Sequence, residues 1–524
     1  MTRIHDPHAI DGKIPAPDET HDIIVVGAGP AGLAAALEAA RAGRQVLLID
    51  EHPVPSALAG SDVPLWFGGR ASAALQAPER LIETLVESEP LIAAAFEAGI
   101  DVRLGTTAWG LWRNRDGSAA LPGGTPGLPT QAPGAMLGLS DGQRSWTAGF
   151  GRLVLATGAR DCALGFAGWD QPGVMGALAF QTLVQRYDAF AGARVVILGS
   201  GDLALETALL ARERGIDVAA LIEVRDAVQG ALPGDLPVLT GHRVIRAEGG
   251  VDGVERLIVA PIGGAEQVIA CDTVILAIDT VPAIELAEVA GAAVVTEPMR
   301  GGAVIPGGAG EVLPDVWLAG AATGLTGPRA LAEAQGRAVM AAALGLESDI
   351  APVGEGFDRM AYRADWLRAL VSTSPDTTMV CQCEEVSRAD LIGVQPPRYL
   401  PRSEHMGARS LGTLLEDGPP DAEQVKRLTR AGMGLCQGRR CREQISLLLA
   451  MAADLPPKAA PRGNWRVPVR PLPLGVMADW QHAAAMDEGW DVWFGIDTQW
   501  IPYRDIGTPE EARHLAELGG NMHL

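Results

Sequence analysis

No stretch of the chain approaches the roughly 18 uncharged apolar residues that a membrane span needs, so no integral membrane segment is expected. Basic residues are in the minority: 42 Lys and Arg stand against 64 Asp and Glu, a formal net charge of −22. That balance disfavours nucleic acid and acidic membrane surfaces as partners. The first 22 residues are polar and lack the apolar run of a signal peptide, and a cytoplasmic location is the expectation. No Cys-x2-Cys pair occurs, which argues against a dithiol–disulfide reductase. The nine histidines form no metal-spaced pair within a helix, and no Ser/His/Asp constellation stands out. Carboxylate acid–base chemistry is not indicated either; Glu384 and Glu385 read as helix-start carboxylates.

Cysteine is scarce, and its placement is the most informative feature. Of six cysteines, Cys162 and Cys271 are isolated and read as small core residues. The other four form two close pairs, Cys381-Gln-Cys383 and Cys436-Gln-Gly-Arg-Arg-Cys441. Paired thiolates favour a soft metal centre. The spacing is neither that of a zinc ribbon nor that of a bacterial four-iron ferredoxin. Gly432, Gly434 and Gly438 would let backbone wrap a cluster closely. The reading is a [2Fe-2S] site held by Cys381, Cys383, Cys436 and Cys441, with zinc or a disulfide as the weaker alternatives.

Two nucleotide-binding patterns precede that region. Ile23-Ile-Val-Val26 reads as a buried parallel strand. Gly27-Ala28-Gly29-Pro30-Ala31-Gly32 follows at once. The first glycine permits the tight turn, the second lets backbone approach a pyrophosphate, and the third lets helix and strand pack closely. A helix and the strand Val46–Ile49 come next, ending in Asp50-Glu51. Asp50 lies 23 residues after Gly27, where a carboxylate can bind the ribose of an adenine dinucleotide. The pattern recurs as Arg194–Leu198, Gly199-Ser-Gly201-Asp-Leu-Ala204, a helix, Val218–Ile222 and Glu223. Ala204 is an accepted variant of the third glycine. The second fold is expected, while occupation of its site by NAD(P) or ATP is left open.

The predicted class is α/β, with two nested Rossmann-like domains of the FAD/NAD(P)-linked reductase type, a small helical [2Fe-2S] domain and a C-terminal tail. The supporting segments are Leu153–Gly158, Asp272–Ala277 and Val316–Gly320. The expected division is an N-terminal extension (1–20), a discontinuous FAD domain (21–165 and 283–346) and an inserted NAD(P)-type domain (166–282). A linker (347–375), the cluster domain (376–455) and a strap and tail (456–524) complete it. The Gly/Pro-rich stretch from 117 to 142 reads as a surface loop.

These motifs together resemble the α subunits of heteromeric flavin-dependent amino-acid and opine dehydrogenases. That group includes nopaline and octopine oxidases, D-hydroxyproline dehydrogenase and the middle subunit of hydrogen cyanide synthase, with the sarcosine oxidase α chain related. The matching stretches are Val25–Leu33, Leu48–Glu51, Leu155–Arg160, Gly168–Met175, Val380–Glu385, Thr429–Cys441 and Arg462–Leu474. Thr429–Cys441 resembles the bacterioferritin-associated ferredoxin fold. The resemblance implies that amine oxidation occurs on the FAD of a separate β subunit. This chain would then supply an FAD-type site, the cluster and part of the interface. The resemblance also allows an FMN at the subunit interface and a small third ferredoxin-like subunit.

The implied cofactor residues are Gly27, Ala28, Gly29, Pro30, Ala31, Gly32, Asp50, Glu51, Arg70, Thr157 and Gly158. Gly320 and Ala321 belong with them, as do Gly199, Gly201 and Glu223 at the second site. No acid–base catalyst is expected on this chain.

The chain departs from the family in three places. Pro53–Gly60 replaces the usual Pro-Gly-Gly-Gln segment, and Trp66 and Arg70 beyond it could reach the flavin. Gly320-Ala321 stands where such flavoproteins carry Gly-Asp. The 52 residues between the cysteine pairs exceed the family's gap, with Gln395–Ser410 as the insertion. Trp490, Trp493, Phe494, Trp500 and Tyr503 in the tail suggest either docking onto another polypeptide or packing on their own chain. Two rival functions remain in view: a stand-alone NAD(P)H:acceptor reductase, and a non-catalytic nucleotide-binding scaffold.

Overall fold

Ile23, Ile24 and Val25 have no solvent exposure, as β-branched residues buried on both faces of a parallel sheet must. They belong to the strand Glu19–Val26 of a computed structural model that describes residues 15–54, 70–113, 134–349, 357–397, 399–400, 409–478, 505 and 507–518. That strand lies inside an eight-stranded sheet. Val46–Asp50 and then Asp101–Leu104 follow on one side; Ser145–Leu155, Val316–Leu318 and Gly310–Leu313 follow on the other. Pairing is parallel from Asp101–Leu104 across to Val316–Leu318. The glycine turn leads into the helix Pro30–Arg41, whose Pro30 sits where a missing N–H goes unnoticed. Its small-residue face packs on the helix Arg329–Ala343 so closely that a Cβ on Gly336 would stand 2.0 Å from the Ala31 carbonyl oxygen.

A second sheet interrupts the first. Its five parallel strands run in the order Val238–Leu239, Asp217–Ile222, Arg194–Leu198, Thr273–Leu276, Val174–Gly176. The chain leaves the first unit through Ala159–Asp161 and returns through Thr280–Pro282, and these two crossings pair with each other. An antiparallel three-stranded sheet, His242–Gly250, Gly253–Pro261 and Gln267–Ala270, flanks the second unit.

The stretch read as a linker contains the helix Arg359–Thr373, with Tyr362, Trp366, Leu367 and Leu370 buried. Beyond it, the short ladder Met379–Cys381 with Val386–Ser387 and, among the described residues, four helices form the cysteine region. Ser387 and Ser410 start two of those helices with reciprocal capping boxes, which satisfy otherwise unpaired amides. One continuous apolar core joins this region to the second sheet, linking Leu448 and Val425 to Val196 and Val274. Among the described residues no helix is long and apolar enough to cross a membrane.

Candidate functional site

The main cavity, about 630 Å³, opens where the two sheets face each other. Gly27, Gly29, Pro30, Ala31, Asp50, Glu51, Thr157, Gly158, Gly320 and Ala321 line it from the first unit, and Gly201 from the second. Each glycine has a distinct job. Gly27 has φ +109°, and a Cβ there would stand 2.2 Å from the Ala156 carbonyl oxygen. A Cβ on Gly32 would lie 1.9 Å from the Gly27 carbonyl oxygen, so that glycine serves the packing of helix on turn. A Cβ on Gly29 would meet nothing within 4 Å. It faces open cavity at a helix N-terminus, where amides and the helix dipole favour an anion.

The strand-end acids divide their work. One Asp50 oxygen accepts the Ala28 amide at 2.6 Å and the other accepts the His52 amide at 2.7 Å. Asp50, expected at the ribose, is thus a carboxylate that already holds the glycine turn. Glu51 also lines the cavity and pairs with Arg470, whose Nε donates at 2.6 Å. Arg470 follows Val469, whose amide donates to the Trp109 carbonyl at 2.8 Å and whose carbonyl accepts from Arg439. A strap segment thus closes one wall of the cavity and ties it to the cysteine loop, since Arg439 lies between Cys436 and Cys441 and itself lines the cavity.

Other expected residues lie elsewhere. Arg70 donates to the carbonyls of Asp252, Val254 and Asp272 and does not reach the cavity. Gly199 is a turn residue with φ +121°. Glu223 is fully buried, accepting from Ser200 Oγ, Tyr362 Oη and the Arg225 amide. Trp66 and the tail aromatics fall outside the described residues. Sequence reasoning missed Arg470, Arg439 and His52 as cavity residues. His52 follows directly on Asp50-Glu51, whereas nothing in spacing announces Arg470, 419 positions from its carboxylate partner.

The four cysteines converge from two loops. Cys383 Sγ lies 3.9 Å from Cys381 Sγ and 3.7 Å from Cys436 Sγ, and Cys381 is also in contact with Cys441. The Gly432 amide points at Cys381 Sγ at 3.4 Å. A Cβ on Gly434 would lie 2.6 Å from Cys383 Sγ. Glu385, Arg430 and Gln437 adopt positive φ around the cluster of thiols, a backbone conformation that non-glycine residues hold only when their surroundings enforce it. Gln382 Nε2 and Oε1 and Gln437 Oε1 are buried beside the thiols with no hydrogen-bond partner among the described residues. The adjacent Cys381 thiol, then burial, push the Cys383 thiol up to about 11. Among the described residues no group of three or more His, Cys, Asp or Glu is set to hold a single metal ion.

The chain matches the family described as pyridine nucleotide-disulphide oxidoreductase over residues 21–341. It is 26% identical over 508 residues to the opine oxidase A subunit of Agrobacterium tumefaciens (strain Ach5), covering 88% of this chain and 92% of that one. It is 27% identical over 465 residues to the sarcosine oxidase alpha subunit of Rhizobium meliloti (strain 1021), covering 87% of this chain but 42% of that longer one. Among solved structures, L-proline dehydrogenase from P. horikoshii aligns with a TM-score of 0.57 at 20% identity, over 88% of this chain and 79% of that one.

Proposed function

The chain belongs to the pyridine nucleotide-disulphide oxidoreductase family, and from that premise we propose that it is the electron-transferring α subunit of a heteromeric flavin-dependent dehydrogenase or oxidase. The substrate class is an amino acid, an opine or a related secondary amine, oxidised at its C–N bond on a partner β subunit. The overall chemistry would be removal of a hydride from the substrate carbon and a proton from its nitrogen, giving an imine that water hydrolyses. The names of its relatives, opine oxidase and sarcosine oxidase, support C–N chemistry, and their naming as single subunits of larger enzymes supports a hetero-oligomer.

The residues present fit an FAD in the main cavity. Gly29 leaves open space at the helix N-terminus for the pyrophosphate. Asp50 and Glu51 are the carboxylates that would meet the ribose hydroxyls: each Asp50 oxygen accepts one backbone amide and keeps a second lone pair, while Glu51 is paired with Arg470. Four clustered thiols, an amide aimed at sulfur and the unpartnered polar atoms of Gln382 and Gln437 likewise fit a [2Fe-2S] cluster. A two-iron cluster takes two thiolates per iron, so it does not require the single-ion arrangement that three or more ligands would make. When bound, FAD would supply two-electron chemistry and the cluster single-electron transfer. The observation that carries the reading is spatial: Arg439, inside the second cysteine pair, lines the same cavity as Gly27 and Gly29.

A tagged copy purified from its native cells tests the reading. A flavoprotein of amine-oxidase type recovered in stoichiometric amount is the expected result. A protein that purifies alone and oxidises the amine by itself would remove the division of labour. Iron and acid-labile sulfide analysis adds a second check: about two irons per chain are expected, and Cys436→Ser should lose them while keeping flavin.

A further inference from the structure

The two glycine turns share the same backbone contacts, and a Cβ on the second glycine of either, Gly29 or Gly201, would meet nothing within 4 Å; they differ in what lies beyond that glycine. A Cβ on Gly27 would strike the Ala156 carbonyl oxygen at 2.2 Å, and one on Gly199 would strike that of Ala277 at 2.4 Å. Asp50 accepts the amide two residues on, from His52 at 2.7 Å; Glu223 accepts the amide two residues on, from Arg225 at 2.8 Å. Glu223 is therefore the counterpart of Asp50. The one extra residue before it is absorbed by a register shift between Val218 and Ala220. The counterpart of the cavity-facing Glu51 is then Val224, a buried side chain with nothing to offer a ribose hydroxyl.

The space beyond that turn is filled by the protein itself. Tyr362, from the helix Arg359–Thr373, places its hydroxyl against Glu223 Oε2 at 2.6 Å and receives the Ser200 amide at 3.3 Å. Arg225 stacks on the Tyr362 ring at 4.9 Å and is held by Asp365 at 2.6 Å. From the other side the Gly230 amide donates to the Ser200 carbonyl at 2.9 Å, and a Cβ on Gly230 would lie 3.1 Å from the Gly201 carbonyl carbon. The turn opens to the main cavity at its Gly201 end, and there Asp202 sets a carboxylate in the first helical turn, where a diphosphate would be repelled.

We propose that the adenosine half of the second dinucleotide site is permanently occupied by the protein's own Tyr362 helix and 225–230 loop. This unit then takes up neither a pyridine nor an adenine nucleotide, and no reducing equivalents enter from NAD(P)H. The old nucleotide site serves instead as the socket for the helix that leads into the cysteine region. The proposal concerns this chain's fold and stands or falls separately from the existence of a partner polypeptide.

Calorimetric titration of the full-length, flavin-containing protein with ADP, NADH and NADPH tests the first half. No saturable heat and no flavin bleaching are expected up to about 1 mM nucleotide; saturable binding of any of the three overturns the proposal. Hydrogen exchange tests the second half. Tyr362→Ala should speed exchange of the amides of 199–203 and 223–230 by about tenfold or more, while those of 27–32 keep their wild-type rates. If Tyr362→Ala does not fold, Tyr362→Phe, which removes only the hydroxyl, should move the same amides in the same direction. Wild-type exchange in the variant, or nucleotide-dependent protection of those amides in the wild type, would sink the idea.

Discussion

Asp50 shows how far a strand-end carboxylate can be read from sequence. Its position after Ile49 follows from the hydrophobic run and the glycine spacing, and the structure places it at the cavity. Its task does not follow, because a carboxylate that binds ribose and one that accepts backbone amides share the same spacing. The deciding facts are two hydrogen bonds, from Ala28 and His52. Asp50→Ala leaves both amides without an acceptor, and each unsatisfied amide costs about 1–3 kcal/mol. Urea unfolding of the apoprotein should register that loss. Glu51→Gln should leave the turn intact, weaken the ion pair with Arg470 that holds the strap on the cavity wall, and lower FAD retention, read as flavin lost on gel filtration. Flavin lost at position 50 with no loss of stability would mean that Asp50 serves the cofactor and not the turn.

At the level of the element, the glycine turns, their strands and their helices were legible because each carries a local signature: β-branched runs, glycines at fixed offsets, a break after the helix. The helix Arg359–Thr373 was not, and the reason is physical. Its buried stripe carries Arg359 and Arg363 among Tyr362, Trp366 and Leu370, so charged residues interrupt the apolar periodicity that would announce a helix. Both guanidinium groups pair with one carboxylate, Asp279, beside the crossing strand Thr280–Pro282. Removing one member of a buried ion pair costs about 3–5 kcal/mol, because the partner charge stays buried. Asp279→Asn strands two such charges and should lower unfolding stability by at least that amount. Asp365→Asn, at the more exposed pair with Arg225, should cost about 1 kcal/mol or less. Equal losses in the two variants would mean that Asp279 does not anchor the helix.

Across the whole molecule, the cysteine region and the flavin-type cavity meet through Arg160. This residue lies on the crossing strand Ala159–Asp161, lines the cavity, and pairs with Glu443 at 2.7 Å on the helix that follows Cys441. Its guanidinium also donates to the Arg439 carbonyl at 2.8 Å. Burial alone would raise the Glu443 carboxyl; Arg160, supported by Arg363 and Arg442, outweighs it and holds the carboxyl below its ordinary value of 4.5. A carboxyl depressed in the folded state contributes stability that is complete above the unfolded value and disappears as pH falls through the folded one. The docking of the cysteine helix should therefore hold down to about pH 4.5 and weaken progressively below it. Glu443→Gln should abolish that component, so the variant's melting temperature should fall less steeply than the wild type's between about pH 5 and pH 3. Identical slopes would mean that this pair does not couple the two regions. Arg160 then could not be the strut that keeps the Cys436–Cys441 loop against the cavity wall.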